Sequence, residues 1–125
     1  MSLERRTTKQ KEAIKSVLAG EVGPLLPDEI HGLALKAVPS LGIATVYRSL
    51  KSLQDEGLVC CVQIPGQAPR YESTDRGHHH HFHCRECHAV FDLEKCVEGI
   101  KSLVPPGFRV SDHEITLFGV CKACS

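Results

Sequence analysis

Two pairs of closely spaced cysteines constrain this chain more than any other feature of its sequence. Residues 84–87 read Cys-Arg-Glu-Cys and residues 121–124 read Cys-Lys-Ala-Cys, so that two residues separate the thiols of each pair. A turn of that length aims both sulfurs at one ion, and two such pairs supply the closed tetrahedral set typical of structural zinc. Zinc in such a site contributes folding free energy and not catalysis. The predicted ligands are Cys84, Cys87, Cys121 and Cys124.

Two other interpretations of the pairs are a redox dithiol and two independent thiol pairs. A thioredoxin-like motif usually occurs singly, between a strand and a helix. The chain has seven cysteines, an odd number, and no secretion signal at its start. We therefore expect a cytoplasmic protein, in a reducing compartment where such clusters bind metal more often than they form a disulfide framework.

The composition changes sharply near residue 76. Two cysteines and one histidine precede this point, whereas five cysteines and seven histidines follow it. This shift predicts two domains, residues 1–76 and residues 77–125. Basic and acidic residues balance at 15 each, which argues against a passive nucleic-acid coat. No apolar run is long enough to span a bilayer, so we expect no membrane partner.

The first half has the pattern of three helices followed by a hairpin. Thr7 and Thr8 can cap a first helix that ends at Gly20, and Pro27 fits the first turn of a second, which Pro39 stops. A third helix is predicted from about Gly42 to Glu56, with Gly57 as its C-cap. Strands are predicted at 58–64 and 70–73. This order describes a winged helix, whose third helix enters the major groove of DNA.

The polar face of the third helix is the candidate DNA-reading surface. Its apolar stripe would be Ile43, Val46, Leu50 and Leu53, at helical spacing. Arg48 lies almost opposite that stripe, and Tyr47 lies at its border. The helix pattern alone favours an ordinary solvated face. The hairpin and the basic N-terminus (Arg5, Arg6, Lys9, Lys11 and Lys15 against Glu4 and Glu12) support DNA binding equally well, so both interpretations stay open at this point. The candidate contacts are Thr45, Tyr47, Arg48, Lys51 and Lys11.

The second half is predicted to be a small sheet with one helix. Strands are expected at 80–84, 89–93, 108–110 and 114–120, and a helix is expected from about Glu94 to Val104, before Pro105 and Pro106. The predicted fold class of the whole chain is therefore α+β.

A run of histidines offers further metal ligands. In a strand, His79, His81 and His83 point to one side and His78 and His80 to the other, so one strand could serve two sites. A flexible histidine-rich loop is the alternative, but the adjoining cysteine pair anchors the backbone. The candidate partners are Glu72, Asp92, Glu94, Glu98 and His113, with Cys60, Cys61 and Cys96 as softer donors. His31 and His88 are interpreted as a helix-face residue and a turn residue.

The chain resembles the ferric uptake regulator family of bacterial metalloregulators. The resemblance spans nearly the whole chain. It rests on residues 44–48 (Ala-Thr-Val-Tyr-Arg) with Leu50, residues 70–72 (Arg-Tyr-Glu), residues 78–84 with Cys87, and residues 107–113 and 118–121 with Cys124.

The resemblance implies a metal-dependent transcriptional repressor and no enzyme activity. It implies a winged-helix DNA-binding domain followed by a small α/β dimerisation domain, in a homodimer that binds a palindromic double-stranded operator. The family's regulatory ligands fall at Glu72, His79 and His81, and a further site seen in some members matches His78, His80 and His113. The implied cofactors are a structural zinc ion and a second divalent metal, zinc or iron(II).

Departures from the family pattern bear on the regulatory metal. Many iron and peroxide sensors place a histidine just before the second helix, where this chain has about Pro24, and Lys11 replaces an arginine of the first helix. Cys60 stands where zinc-uptake regulators place a ligand from the wing. A set of Cys60, Glu72, His79 and His81 suits zinc better than iron, because it contains a thiolate. We therefore favour a zinc-responsive member over an iron or peroxide sensor. A zinc hydrolase or a metal carrier without DNA binding is the alternative from another class.

Overall fold

The computed structural model describes residues 3–21 and 23–125, with side chains from residue 8 onward. Contacts divide the chain into two compact units, residues 1–77 and residues 78–125. Within the described residues, no helix has both the length and the apolar character needed to cross a membrane. Helices dominate the first unit and strands the second, which confirms the predicted α+β class.

Three helices build the core of the first unit. They are α1 (Leu3–Gly20), α2 (Pro27–Ala34) and α3 (Ile43–Asp55). Pro27 occupies the first turn of α2, where its missing N–H costs nothing. Gly57, predicted as the C-cap of α3, lies one residue beyond the C-cap Glu56 and has the positive φ, 76°, that favours glycine after a helix. The buried residues of the core come from all three helices, the connection between α2 and α3, and the first strand: Ile14, Leu18, Ile30, Ala34, Val38, Leu41, Val46, Leu50, Leu53 and Val59.

Two details of the helices differ from the sequence-based prediction. The N-cap expected at Thr7 or Thr8 is wrong, because α1 already begins at Leu3 and both threonines lie inside it. Leu3 to Arg6 include good helix formers, which extend the helix backwards. Ile43 is 38% exposed, so the buried stripe of α3 begins only at Val46. Arg5, Arg6 and Thr7 have side chains outside the described set.

The wing is a two-stranded antiparallel hairpin, β1 (Val59–Val62) and β2 (Arg70–Ser73). Backbone hydrogen bonds between Leu25 and Tyr71, at 2.8 and 3.0 Å, join the segment before α2 to β2. The buried Arg70 guanidinium donates to the carbonyl of Pro24 and to Oε1 of Glu29, each at 3.2 Å. These contacts hold the wing against the start of α2.

The second unit is built on a three-stranded sheet in the order β4-β3-β5. Strand β3 (His80–Cys84) is central, and it pairs antiparallel with β4 (Val90–Leu93) and parallel with β5 (Thr116–Gly119). The β3 prediction is confirmed at both ends. The predicted flanking strands are shorter in the structure, since β4 begins at Val90 and β5 spans only Thr116–Gly119.

The helix predicted from Glu94 to Val104 is wrong. Only a 3-10 turn, Ile100–Leu103, forms in that stretch. Gly99 adopts a left-handed conformation at φ 79°, which interrupts an α-helix. Val97 and Leu103 are 62% and 81% exposed, so the apolar face that would stabilise such a helix is not packed within the described residues.

The strand predicted at 108–110 is also wrong. The structure assigns no strand there, and Phe108 is 67% exposed. Within the described residues, the second unit therefore contains a sheet and 3-10 turns without an α-helix.

The packing of α3 predicts the effect of truncating its buried face. Leu50 is 1% exposed in the core, whereas its neighbour Lys51 is exposed. Leu50→Ala should lower the free energy of unfolding by about 2–5 kcal/mol, because it removes buried methyl groups and leaves a cavity. Urea unfolding of the intact protein measures this difference. Lys51→Ala is the matched control and should change stability by less than about 0.5 kcal/mol. Equal effects of the two variants would contradict the orientation of α3.

Candidate metal centres and nucleic-acid interface

Four cysteine sulfurs converge at one end of the sheet in the second unit. One sulfur atom from each of Cys84, Cys87, Cys121 and Cys124 lies within 4.8 Å of the others. Cys84 ends β3 and is fully buried, while Cys121 comes two residues after β5 ends. Because β3 and β5 are parallel neighbours, both cysteine pairs lie at the same end of the sheet. The four residues fit a structural zinc ion in number, donor type and spacing.

Backbone and side-chain contacts in this cluster change the acidity of its thiols. The N–H groups of Cys87 and Cys121 donate to Cys84 Sγ at 3.5 and 3.3 Å. They stabilise the thiolate and lower the pKa of Cys84 to about 6. At the other extreme, the neighbouring Cys121 side chain, followed by burial, raises the pKa of Cys124 to about 12. Four thiolates this close repel one another, so their joint ionisation requires a cation.

A second group in this unit contains two histidines and a carboxylate. The ligand atoms of His79, His81 and Asp92 lie within 4.8 Å of one another. Asp92 Oδ1 is 3.7 Å from His79 Nε2 and 3.5 Å from His81 Nε2. Asp92 lies opposite His81 in the register of β3 and β4, which explains the proximity. Imidazole and carboxylate donors accept zinc, iron(II) or manganese.

A third group of possible metal ligands includes the histidines on the other side of β3, opposite His79 and His81. His78, His80, Cys96 and His113 offer ligand atoms within 4.8 Å of one another. The separation of His79 and His81 from His78 and His80 is the one that alternation predicts. His83 packs edge-on against Phe118 and so belongs to neither group.

Glu72 and Cys60 belong to the wing of the first unit. They lie directly opposite each other in the register of β1 and β2. Glu72 is buried, and Cys60 is partly buried. Burial, followed by the charge of Glu72, raises the pKa of the Cys60 thiol, so ionisation of this cysteine needs a compensating cation.

The outer face of α3 has the exposure expected of a DNA-reading surface. Tyr47 is 53% exposed, and Arg48 and Lys51 are also exposed, whereas Val46 and Leu50 are buried. The Arg48 guanidinium donates to the Thr45 hydroxyl at 3.0 Å. This contact orients a planar donor that can bind phosphate or the edge of a guanine.

Lys11, another predicted DNA contact, is engaged within the first unit. Its amine donates to Glu56 Oε1 at 2.8 Å and to Ser52 Oγ at 3.1 Å. The contact ties α1 to the C-terminal turn of α3. Lys11 therefore has a visible structural role in positioning α3, and contact with DNA would require it to leave these partners.

Four residues outside the predicted ligand set have clear positions. Asp92 and Cys96 were only candidate partners in the sequence, because their proximity depends on strand register and on the path of the chain after β4. His31 Nε2 lies 2.7 Å from the carbonyl oxygen of Leu41, which gives this histidine a structural partner. His88 occupies a turn at φ 64°, consistent with its interpretation.

A sequence model described as the Ferric uptake regulator family matches residues 2–118. The chain belongs to this family. The ferric uptake regulation protein of Bacillus subtilis is 30% identical over 127 positions, which cover 96% of this chain and 85% of that protein. The resemblance seen in the sequence motifs is thereby confirmed, and the similar proteins are transcriptional regulators.

Two solved structures share the fold. The Helicobacter pylori ferric uptake regulator, described with three functional metal binding sites, has a TM-score of 0.74 at 26% identity, covering 93% of this chain and 79% of that one. FurB of Mycobacterium tuberculosis, described as a zinc uptake regulator, has a TM-score of 0.55 at 26% identity and covers 98% of both chains. Family membership thus establishes a metal-responsive transcriptional regulator without deciding its metal.

The four-cysteine group predicts a specific loss on substitution. Cys121→Ser should remove one tightly bound zinc ion per chain and destabilise the second unit, because three thiolates no longer close the tetrahedron. Metal analysis of the purified protein, combined with thermal unfolding, measures both effects. Cys61→Ser, at an exposed wing position, is the control and should keep the zinc. Unchanged zinc content in Cys121→Ser would contradict the assignment.

Proposed function

We propose that the chain is a homodimeric repressor that binds a palindromic operator when a regulatory metal ion is bound. The main support for this proposal is that the chain has a second, chemically distinct group of possible metal ligands in addition to the four cysteines. A closed four-thiolate set favours permanent zinc, whereas His79, His81 and Asp92 form a more open set suited to reversible binding. One site would hold the fold and the other would respond to metal. As a repressor, the protein would act in the cytoplasm, where bacterial DNA lies.

DNA reading is proposed for the outer face of α3. Tyr47, Arg48 and Lys51 are exposed on a helix whose opposite face is buried in a winged-helix core. The formal net charge of zero means that nonspecific attraction to phosphate is weak. Affinity would therefore depend on a few well-placed contacts, with dimerisation doubling their number on a palindrome.

We propose that the regulatory metal changes operator affinity by favouring one arrangement of the dimer over another. A metal ion that binds one arrangement more tightly shifts the population toward it. The family resemblance assigns Glu72, in the wing, to the same site as His79 and His81. A ligand contributed by the wing would couple metal occupancy to the DNA-binding unit. Asp92 is added to this proposed set because it contacts both histidines.

Metal dependence is tested by operator affinity with and without a chelator. Removing the regulatory ion should weaken operator binding at least about tenfold, corresponding to the 1.4 kcal/mol or more typical of allosteric coupling. Fluorescence anisotropy of a labelled operator measures the affinity. Asp92→Asn should reproduce the weak binding even with metal present, while its four-cysteine zinc is retained. Equal operator affinity with and without the ion would contradict the mechanism.

The DNA-reading face is tested by Arg48→Ala. Loss of one guanidinium contact should cost about 1–3 kcal/mol of operator binding, or roughly 5- to 150-fold in affinity. Lys101→Ala removes one positive charge from the second unit and is the matched control, with little expected effect. Both variants should keep the oligomeric state of the parent in analytical ultracentrifugation. An unchanged operator affinity in Arg48→Ala would remove α3 from the DNA interface.

Zinc is proposed as the regulatory metal, and Cys60 supports this choice. It is the thiol directly opposite Glu72 in the wing. Cys60→Ser should lower zinc affinity at the regulatory site at least about tenfold and leave the four-cysteine site filled. Cys61→Ser is a matched control, since consecutive residues of β1 point to opposite faces. A crystal grown with zinc in which Cys60 turns away from the ion would remove the main support for a zinc sensor.

An iron- or peroxide-responsive regulator is the second candidate. Asp92 favours it, because a set of two imidazoles and carboxylates suits iron(II) or manganese. Under this alternative, Cys60→Ser leaves metal binding unchanged and Asp92→Asn abolishes iron(II) binding. A zinc hydrolase or metal carrier is not favoured, because the similar proteins are transcriptional regulators.

A further inference from the structure

Cys96 lies at the centre of the third group of ligand atoms. Its sulfur is 3.0 Å from His113 Nε2 and 3.3 Å from His80 Nε2. The ring of His78 packs edge-on against both histidines, with centroids 4.7 Å from that of His80 and 4.8 Å from that of His113. One ligand atom from each of the four residues lies within 4.8 Å of the others. The family resemblance pointed to the three histidines but not to this cysteine.

The four residues come from three separate parts of the second unit. His78 and His80 lie at the start of β3, Cys96 follows β4, and His113 precedes β5. Between β4 and β5, the described chain forms only one 3-10 turn. Val97, beside Cys96, is 62% exposed, so apolar packing of this neighbour does not hold the chain at Cys96. The contacts of the Cys96 side chain with His80 and His113 therefore fix the position of this segment.

The donor set differs in kind from that of the neighbouring group. Three neutral imidazoles and one anionic, soft thiolate form a set that favours zinc over iron(II) or manganese. His79, His81 and Asp92 offer a carboxylate in the corresponding place.

We propose that Cys96 is a metal ligand and that it makes the group of His78, His80, Cys96 and His113 a zinc site which anchors the segment between β4 and β5. The thiol loses its proton to solvent when the ion binds. The N–H of Ile115 donates to His80 Nδ1 at 3.2 Å. A ring that binds metal through Nε2 carries its proton on Nδ1, so this hydrogen bond must break when the metal binds. The inference is independent of the proposed DNA-binding function.

Cobalt(II) provides the spectroscopic test, because a thiolate bound to cobalt gives an intense near-ultraviolet charge-transfer band that imidazole does not. The experiment uses full-length protein with zinc already in the four-cysteine site. All variants carry Cys60→Ser, so that the regulatory site contributes no thiolate. Added cobalt should produce the band in this parent and in Cys61→Ser. Cys96→Ser should lose the band and bind the ion at least about tenfold more weakly.

Two outcomes of the cobalt titration would overturn the proposal. One is an undiminished band in Cys96→Ser, and the other is a parent protein that takes up cobalt without the band. Cys96→Asp provides a second check, since it restores a ligand without sulfur. It should bind the ion without the band and shift the preference toward manganese.

Proteolysis tests the anchoring role separately from the spectrum. Lys95 and Lys101 flank Cys96 and are exposed, which makes this segment a target for trypsin. At a zinc concentration that fills the site in the parent but not in Cys96→Ser, zinc should slow cleavage several-fold in the parent and leave the rate in Cys96→Ser nearly unchanged. Cleavage that is equally fast with and without zinc in the parent would contradict the anchor. Failure of operator binding would leave both results intact, so the two proposals are judged separately.

Discussion

The convergence of four cysteine sulfurs is the constraint on which the second unit depends. Among the described residues of this unit, only Cys84 and Val90 belong to the buried apolar set, so its hydrophobic core is very small. In small zinc domains, metal binding contributes on the order of 10 kcal/mol at neutral pH, which matches the whole stability of a typical domain. The zinc ion expected among the four cysteines therefore supplies the stability that a larger hydrophobic core would give this unit. It joins the end of β3 to the residues after β5.

Strand β3 determines which residues can bind the same metal ion. Side chains alternate between the two sides of a strand. With Cys84 fixed at the end of β3, the histidines before it are therefore divided between these two sides. His81 meets Asp92 across the antiparallel pair, and His80 meets Cys96 and His113. The two groups consequently differ in donor chemistry, one with a carboxylate and one with a thiol. A single short strand can thus support sites of different metal preference.

Local patterns were sufficient to predict the elements that pack or pair in a regular way. The helical period and Gly57 located α3, and alternation with the Cys84 pair located β3. The helix expected at 94–104 failed, because the spacing of Val97, Ile100 and Leu103 imitates a buried stripe. In the structure, the exposure of Val97, the left-handed Gly99 and the contacts of Cys96 give that segment another path. Asp92 and Cys96 could not be singled out, because their partners depend on register and chain path, which composition does not contain.

Anomalous X-ray scattering at the zinc edge tests the central claim most directly, namely that one ligand group holds the fold and another senses metal. The account predicts a strong peak among Cys84, Cys87, Cys121 and Cys124 in the protein as isolated. A second peak beside His79, His81 and Asp92 should appear only after metal is added. Disulfides or an empty site among the four cysteines, or an added ion that leaves His79 and His81 without metal, would contradict the account.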